Sequence, residues 1–219
     1  MLTIEKIYDA QRVLEEALYT TDVVQANKLT GRCELFLKTE NLQKTGSFKI
    51  RGAYYKIARL SPEEKMRGVI ACSAGNHAQG VALAAQKNGI PALICLPDGA
   101  PISKVEATRS YGAELCLVPG VYDDAYERAL QLQKERRMTF IHPFDDEDVI
   151  AGQGTIGLEI LSQLKNVEAI VVPVGGGGLI SGIAFAVKQV APHVKVYGVQ
   201  AAGAASMIGS LHDGKVESL

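Results

Sequence analysis

The sequence predicts an α/β protein built on parallel sheets with helices on their faces. Three observations carry that expectation. From residue 68 onward, short apolar runs alternate with longer amphipathic stretches. One helix-length stretch separates each run from the next, which is the crossover that parallel strands need and hairpins do not. Gly89 and Gly112 stand where two of the helices should stop, and glycine suits the left-handed residue that ends a helix.

The elements follow in order. Residues 4–18 place Ile4, Ile7, Leu14 and Leu18 on one helical face. Residues 33–38 alternate as a strand. A polar turn of Lys44, Thr45 and Gly46 comes before a helix that opens at Lys49, carries Ile50, Ala53 and Ile57 as its apolar stripe, and ends near residue 60. Ser61-Pro62-Glu63-Glu64 reads as a capped helix start. Strands are expected at 68–72, 92–96, 114–118 and 139–142, with helices at 76–88, 103–111 and 122–137 between them. An acidic loop, 144–148, should cap a helix over 149–164, and its spacing fits no calcium loop. A strand at 169–174, a glycine loop at 175–178, a helix at 179–190 and a strand at 195–200 complete the pattern.

Composition narrows the function. Of 219 residues, 47% are apolar and 21% charged, as in ordinary globular proteins. A formal net charge of −1 argues against nucleic acid, and the lack of tryptophan argues against a base-stacking platform. The longest apolar run, near 169–174, is strand-length, so no membrane span is expected. Residues 1–10 read as an amphipathic helix and not as a signal peptide. Cys33, Cys72, Cys95 and Cys116 lack C-x-x-C spacing. Reduced thiols in the cytoplasm are therefore expected, without a disulfide framework or zinc. His142, His193 and His212 are isolated and read as surface or packing residues.

Three stretches can carry chemistry. Lys49 opens a helix, and a lysine amine forms an imine with an aldehyde such as pyridoxal phosphate. The helix N-terminus, Lys44 and Arg51 should favour its neutral form. From Lys49 alone, a solvated surface lysine is the commoner explanation. The loop S-A-G-N-H-A-Q-G, residues 73–80, joins a strand to a helix N-terminus, where backbone N–H groups can hold a carboxylate. Asn76 could cap that helix or reach a ligand, and a simple capping loop is an equal alternative. Gly175, Gly176, Gly177 and Gly178 follow a strand and open a helix, a composition that lets backbone approach a phosphate. A flexible turn is the plain alternative. A dinucleotide fold is disfavoured, because Ser181 stands at the third glycine and Gln200 where a ribose-binding acid belongs. No Walker lysine is present.

The run T-G-S-F-K-I-R-G-A, residues 45–53, resembles the cofactor-lysine signature of fold-type II pyridoxal-phosphate enzymes, the serine/threonine dehydratase group. Residues 73–80 resemble that family's asparagine loop, and 175–178 its tetraglycine loop. The resemblance implies that Lys49 carries the Schiff base and acts in catalysis, and that Phe48 packs on the pyridine ring. It implies that Asn76 bonds the ring hydroxyl. Ser73, Ala74, Gly75 and His77, with Asn76, would grip the substrate carboxylate, and the backbone from Gly175 to Leu179 would hold the phosphate. Ile50 after the lysine, and the loop's H-A-Q-G, point to the dehydratase or racemase type over cysteine or threonine synthases. Racemases of this type carry a serine where Ala74 stands, so elimination is favoured over racemisation. Gln200 replaces a glutamate of the racemase-like metal site, so no metal is expected.

The implied activity is dehydration and deamination of L-threonine, and of L-serine, to 2-oxobutanoate or pyruvate and ammonia. The alternatives are a fragment that folds or binds the cofactor without catalysis, and a serine racemase-like enzyme. The implied architecture is tryptophan synthase β-like, with two three-layer domains and the cofactor in their cleft. The larger comprises 1–60 plus 147–219 and the smaller 61–146. The resemblance also implies a homo-oligomer acting on a small amino acid. The family's catalytic domain extends past the point matched by Leu219, so a C-terminally truncated chain is expected.

Overall fold

The computed structural model describes residues 1–29, 31 and 33–217. Ser218 and Leu219, the end of the expected truncation, lie outside the described residues. The chain divides into two compact units, Arg12–Pro143 and Met1–Gln11 with Phe144–Leu219. The first holds nearly all of the stretch expected as the smaller domain, and residues 12–60 with it.

Helix α1 (Ile4–Glu15) opens the chain. Strands β1 (Val23–Gln25) and β2 (Phe36–Lys38) then pair antiparallel as a short ribbon. The expected strand over 33–38 is thus shorter, and β1 was not expected from sequence, being only three residues long. Helix α2 (Lys49–Ala58) is followed by α3 (Pro62–Arg67). Ser61 caps α3 in a complete capping box: Glu64 N–H donates to Ser61 Oγ, and Glu64 Oε2 accepts from Ser61 N–H.

The main sheet comes next. Strand β3 (Val69–Cys72) leads through α4 (Asn76–Asn88) to β4 (Ala92–Pro97), through α5 (Ile102–Ser110) to β5 (Glu114–Val118), and through α6 (Tyr122–Arg136) to β6 (Thr139–Phe140). All pairings are parallel and the spatial order is β5-β4-β3-β6. Gly89 ends α4 in the left-handed region, as its position predicts. Ile70, Cys72, Leu93 and Cys95 pack with Ala125, Ala129 and Leu132 of α6. The alternate residues Val69, Ala71, Ile94 and Leu96 are buried as well, and α4 also packs on β3 and β4. Cys72 pairs with Cys95 and Cys95 with Cys116 across neighbouring strands. All four cysteines are free, and burial pushes the Cys72 thiol up to about 11.

The chain leaves β3 to build β4 and β5 on one side, then crosses back to lay β6 on the other. The carboxyl ends of β3 and β6 therefore flank a topological switch point, where open α/β sheets hold ligands.

The other unit pairs β7 (Ala169–Pro173) with β8 (Lys195–Val199), in parallel, beside α7 (Glu147–Gln163) and α8 (Gly178–Val190). Asp146 caps α7 as expected, its Oδ1 accepting from the amides of Asp148 and Val149. Helix α9 (Ser206–Asp213) was not expected from sequence. Helices α7 and α8 meet on glycines. A Cβ at Gly182 would lie 2.3 Å from Ile150 O and 2.7 Å from Gly154 N. Both are backbone atoms and cannot turn aside.

Gly182→Ala should therefore destabilise the protein by about 2–3 kcal/mol, read by urea denaturation. Gly99→Ala, where nothing lies within 4 Å of the added carbon, should stay within about 0.5 kcal/mol. Equal midpoints for the two variants would contradict the close α7–α8 contact.

Candidate active site

Lys49 is set in place by a turn that the chain ties down locally. Gln43 is buried; its Nε2 donates to Tyr19 O at 2.7 Å, and its Oε1 accepts from the amides of Tyr19 and Lys44. Gly46 adopts φ +69° and its N–H donates to Gln43 O. Ser47 Oγ accepts from Lys49 N–H at 3.3 Å.

Beneath the turn lies a buried ion pair. Arg51 is 1% exposed and reaches both carboxylate oxygens of Glu40, through Nε at 2.8 Å and Nη2 at 2.7 Å. Thr21 Oγ1 donates to Glu40 Oε1 at 2.6 Å. A planar guanidinium matched to a carboxylate in this manner is strong and directional.

The Lys49 amine is half-buried and donates to Pro143 O at 2.7 Å. Its pKa lies below the ordinary lysine value because burial disfavours the ammonium. The cause differs from the one read in sequence. Arg51 is neutralised by Glu40. Lys44 turns away, donating to Ala17 O at 2.6 Å and facing Lys87. The Phe48 ring lies beside the amine, 5.5 Å from Nζ to the ring centre.

The loop after β3 lies in the same unit. Ser73 N–H donates to Cys95 O, which continues the sheet. Ser73 Oγ accepts from Gly75 N–H at 3.1 Å, so that amide is already engaged. Gly75 is the N-cap of α4 and Asn76 its first residue, with no side-chain cap. Asn76 therefore does not cap the helix. Its side chain is exposed, and the amides of Asn76, His77 and Ala78 have no partner among the described residues. Ala74 is half-buried. The His77 imidazole is buried with Nε2 2.9 Å from Ile141 O.

Gly80, at the end of the same motif, was not singled out in the sequence. A Cβ there would lie 3.1 Å from both Ile50 N and Lys49 C. It is the small residue that lets α4 close on the first turn of α2. The motif's own Q-G was the available signal.

In the other unit, the glycine loop leads into α8. Gly177 is its left-handed N-cap at φ +86°. The amides of Gly175, Gly176, Gly177, Gly178 and Leu179 have no partner among the described residues. Two of the glycines also have a local reason. A Cβ at Gly176 would strike the Phe144 ring at 2.4 Å, and one at Gly178 would strike Phe144 O at 2.6 Å. Gly175 has nothing within 4 Å. Phe144 thus shares in shaping the loop, a role that sequence spacing did not reveal.

A phosphorylated aldehyde asks for a neutral amine and a set of free N–H donors. In one unit the half-buried Lys49 amine has its basicity lowered by burial, and in the other the amides at the start of α8 have no partner among the described residues, so each unit answers one of those demands. The chain matches the family of pyridoxal-phosphate dependent enzymes over residues 14–219. It belongs to that family, and membership implies pyridoxal phosphate as cofactor. It is 57% identical to an L-threonine ammonia-lyase of Thermotoga maritima, over 99% of this chain and 55% of that protein. Among solved structures it resembles the processed form of threonine deaminase isoform 2 from Solanum lycopersicum, with 44% identity, a TM-score of 0.94, and coverage of 98% of this chain and 64% of that one. It also resembles maize serine racemase, with 38% identity and a TM-score of 0.95, over 100% of this chain and 67% of that one. The chain spans about half the length of the curated Thermotoga relative. The expected fold-type II α/β class agrees with these likenesses. No helix among the described residues is long and apolar enough to cross a membrane.

Arg51→Met should cost about 3–5 kcal/mol, because it leaves the Glu40 carboxylate without its charge partner. Adding Glu40→Leu to Arg51→Met should recover much of that loss, since the penalty belongs to the orphaned charge. Thermal unfolding of the two variants reads the difference; a double variant no more stable than the single one would count against it.

Proposed function

We propose that this chain carries the cofactor-lysine and phosphate-binding parts of an L-threonine ammonia-lyase that also accepts L-serine. The observation that carries the reading is the Lys49 amine, half-buried and held on Pro143 O at the switch point of the sheet. Burial keeps a larger share of it in the unprotonated, nucleophilic form. Support also comes from the identity to the Thermotoga ammonia-lyase.

The residues then take the following roles. The free amides at the start of α4 hold the substrate carboxylate, together with the loop of Ser73, Ala74 and Gly75. The exposed Asn76 side chain bonds the cofactor's ring hydroxyl and Phe48 flanks its ring. The amides from Gly175 to Leu179 hold the phosphate, helped by the positive end of α8. Pyridoxal phosphate, when bound, supplies the electrophilic carbon and the electron sink. Lys49 takes the α-proton of threonine as a neutral amine. The β-hydroxyl departs with a proton as water, and the released enamine hydrolyses to 2-oxobutanoate and ammonia. The free thiols support a reducing, cytoplasmic compartment.

A serine racemase-like activity is the second reading, favoured by the likeness to the maize racemase. Ala74 weighs against it, because a methyl group exchanges no proton. A chain that binds the cofactor without turnover is the third.

Pyridoxal phosphate added to the purified chain should give a lysine-bound absorption band that changes when L-threonine is added. Lys49→Ala should lose the band and lower ammonia release by about three orders of magnitude or more. A band that ignores threonine, or near-normal release by Lys49→Ala, would overturn the lyase reading. Chiral chromatography of L-serine incubated with the protein separates elimination from racemisation.

A further inference from the structure

The roles above use only the backbone of His77. Its side chain is 4% exposed and engaged through Nε2. Nε2 lies 2.9 Å from Ile141 O, and a carbonyl oxygen only accepts. Nε2 therefore carries the hydrogen, and Nδ1 has the lone pair in the neutral ring. Burial holds the imidazole down to about 4, with the Lys49 and His142 charges adding to the effect and the Ile141 bond opposing it. The ring is neutral wherever Lys49 could act as a base.

Ile141 is held from two sides. Its N–H donates to Ile70 O at 2.8 Å, continuing β6 alongside β3, and its carbonyl accepts from His77. Two residues later, Pro143 O accepts from the Lys49 amine. The intervening stretch is short, and the proline ring fixes one of its torsions. The asparagine loop and the lysine helix thus each place one side-chain hydrogen bond on the same strand end, residues 141–143.

We propose that His77 is a positioning residue for the cofactor lysine: its Nε2–H fixes the Ile141 carbonyl and, through residues 141–143, the carbonyl that orients the Lys49 amine. The proposal rests on the reading of Lys49 given above. Its test does not, because it needs no cofactor.

The full chain is labelled with trace acetic anhydride across a pH series, and acetylation of each lysine is read by mass spectrometry. In wild type, Lys49 should titrate below the exposed lysines. His77→Leu removes the donor, so the amine should gain freedom to reach water. Its midpoint should then rise by about one pH unit, a tenfold change in protonation. His77→Gln keeps an N–H of similar reach and should hold the wild-type midpoint. An unchanged Lys49 profile in folded His77→Leu would overturn the proposal. Should His77→Leu fail to fold, nitrogen-15 NMR of wild type decides. A neutral Nε2–H ring that does not titrate between about pH 5 and 8 supports the proposal, and an Nδ1–H tautomer or an ordinary titration refutes it. Absence of cofactor binding with the expected labelling shifts would refute the lysine's role and leave the positioning contact standing.

Discussion

The hydrogen bond from the Lys49 amine to the Pro143 carbonyl is the constraint on which the site depends. A long, flexible side chain is useful as a base or nucleophile only if its end is held, and ordering it costs about 1.5–2 kcal/mol of side-chain entropy. The main chain supplies the hold at the end of β6. That strand end is available only because β6 is laid beside β3, across from β4 and β5. Sheet order and lysine position are thus one geometric fact. The depressed basicity of Lys49 follows from it, since the same placement that orients the amine also removes it from water.

Other features hold the base of α2 against this post. The Arg51–Glu40 pair anchors the helix from below, where a buried guanidinium could not be left unmatched. Gly80 removes the side chain that would separate α4 from the start of α2. Neither group needs to touch a substrate. Each limits how far Lys49 can drift, and a shift of 1 Å at a reacting atom can cost about a hundredfold in rate.

Much of the fold was legible in the sequence because its signals are local. The capping box at Ser61, the cap at Asp146 and the stop at Gly89 are short-range hydrogen bonds and backbone conformations, and each stands where it was expected. The strand–helix rhythm fixed the main parallel sheet to within a residue or two. The three-residue β1 and helix α9 escaped, since neither has enough periodic positions to stand out. Of the candidate site residues, the lysine, the asparagine loop and the glycines were visible as composition. Their environments were not. Arg51 was read as a nearby positive charge, yet its charge is cancelled by Glu40, eleven residues back. The glycines at 176 and 178 were read as a phosphate loop or a flexible turn, whereas Phe144 already requires small residues there. Asn76 was a possible cap, but backbone geometry gives that position to Gly75. In each case the missing information was a contact distant in sequence or a backbone angle.

The placement of β6 also dictates when the lysine acquires its character. Val69 and Ile70 pair with Thr139 and Phe140, so closing that edge brings together segments some seventy residues apart. Contacts of such long range form late, because the entropy of closing the intervening loop must first be offset by structure within it. Until then β3, β4 and α4 can assemble from nearer neighbours, while the Lys49 amine lacks the Pro143 carbonyl that holds it in the folded unit. The hold on this amine appears only with the last strand of the main sheet, when the unit that carries it is complete.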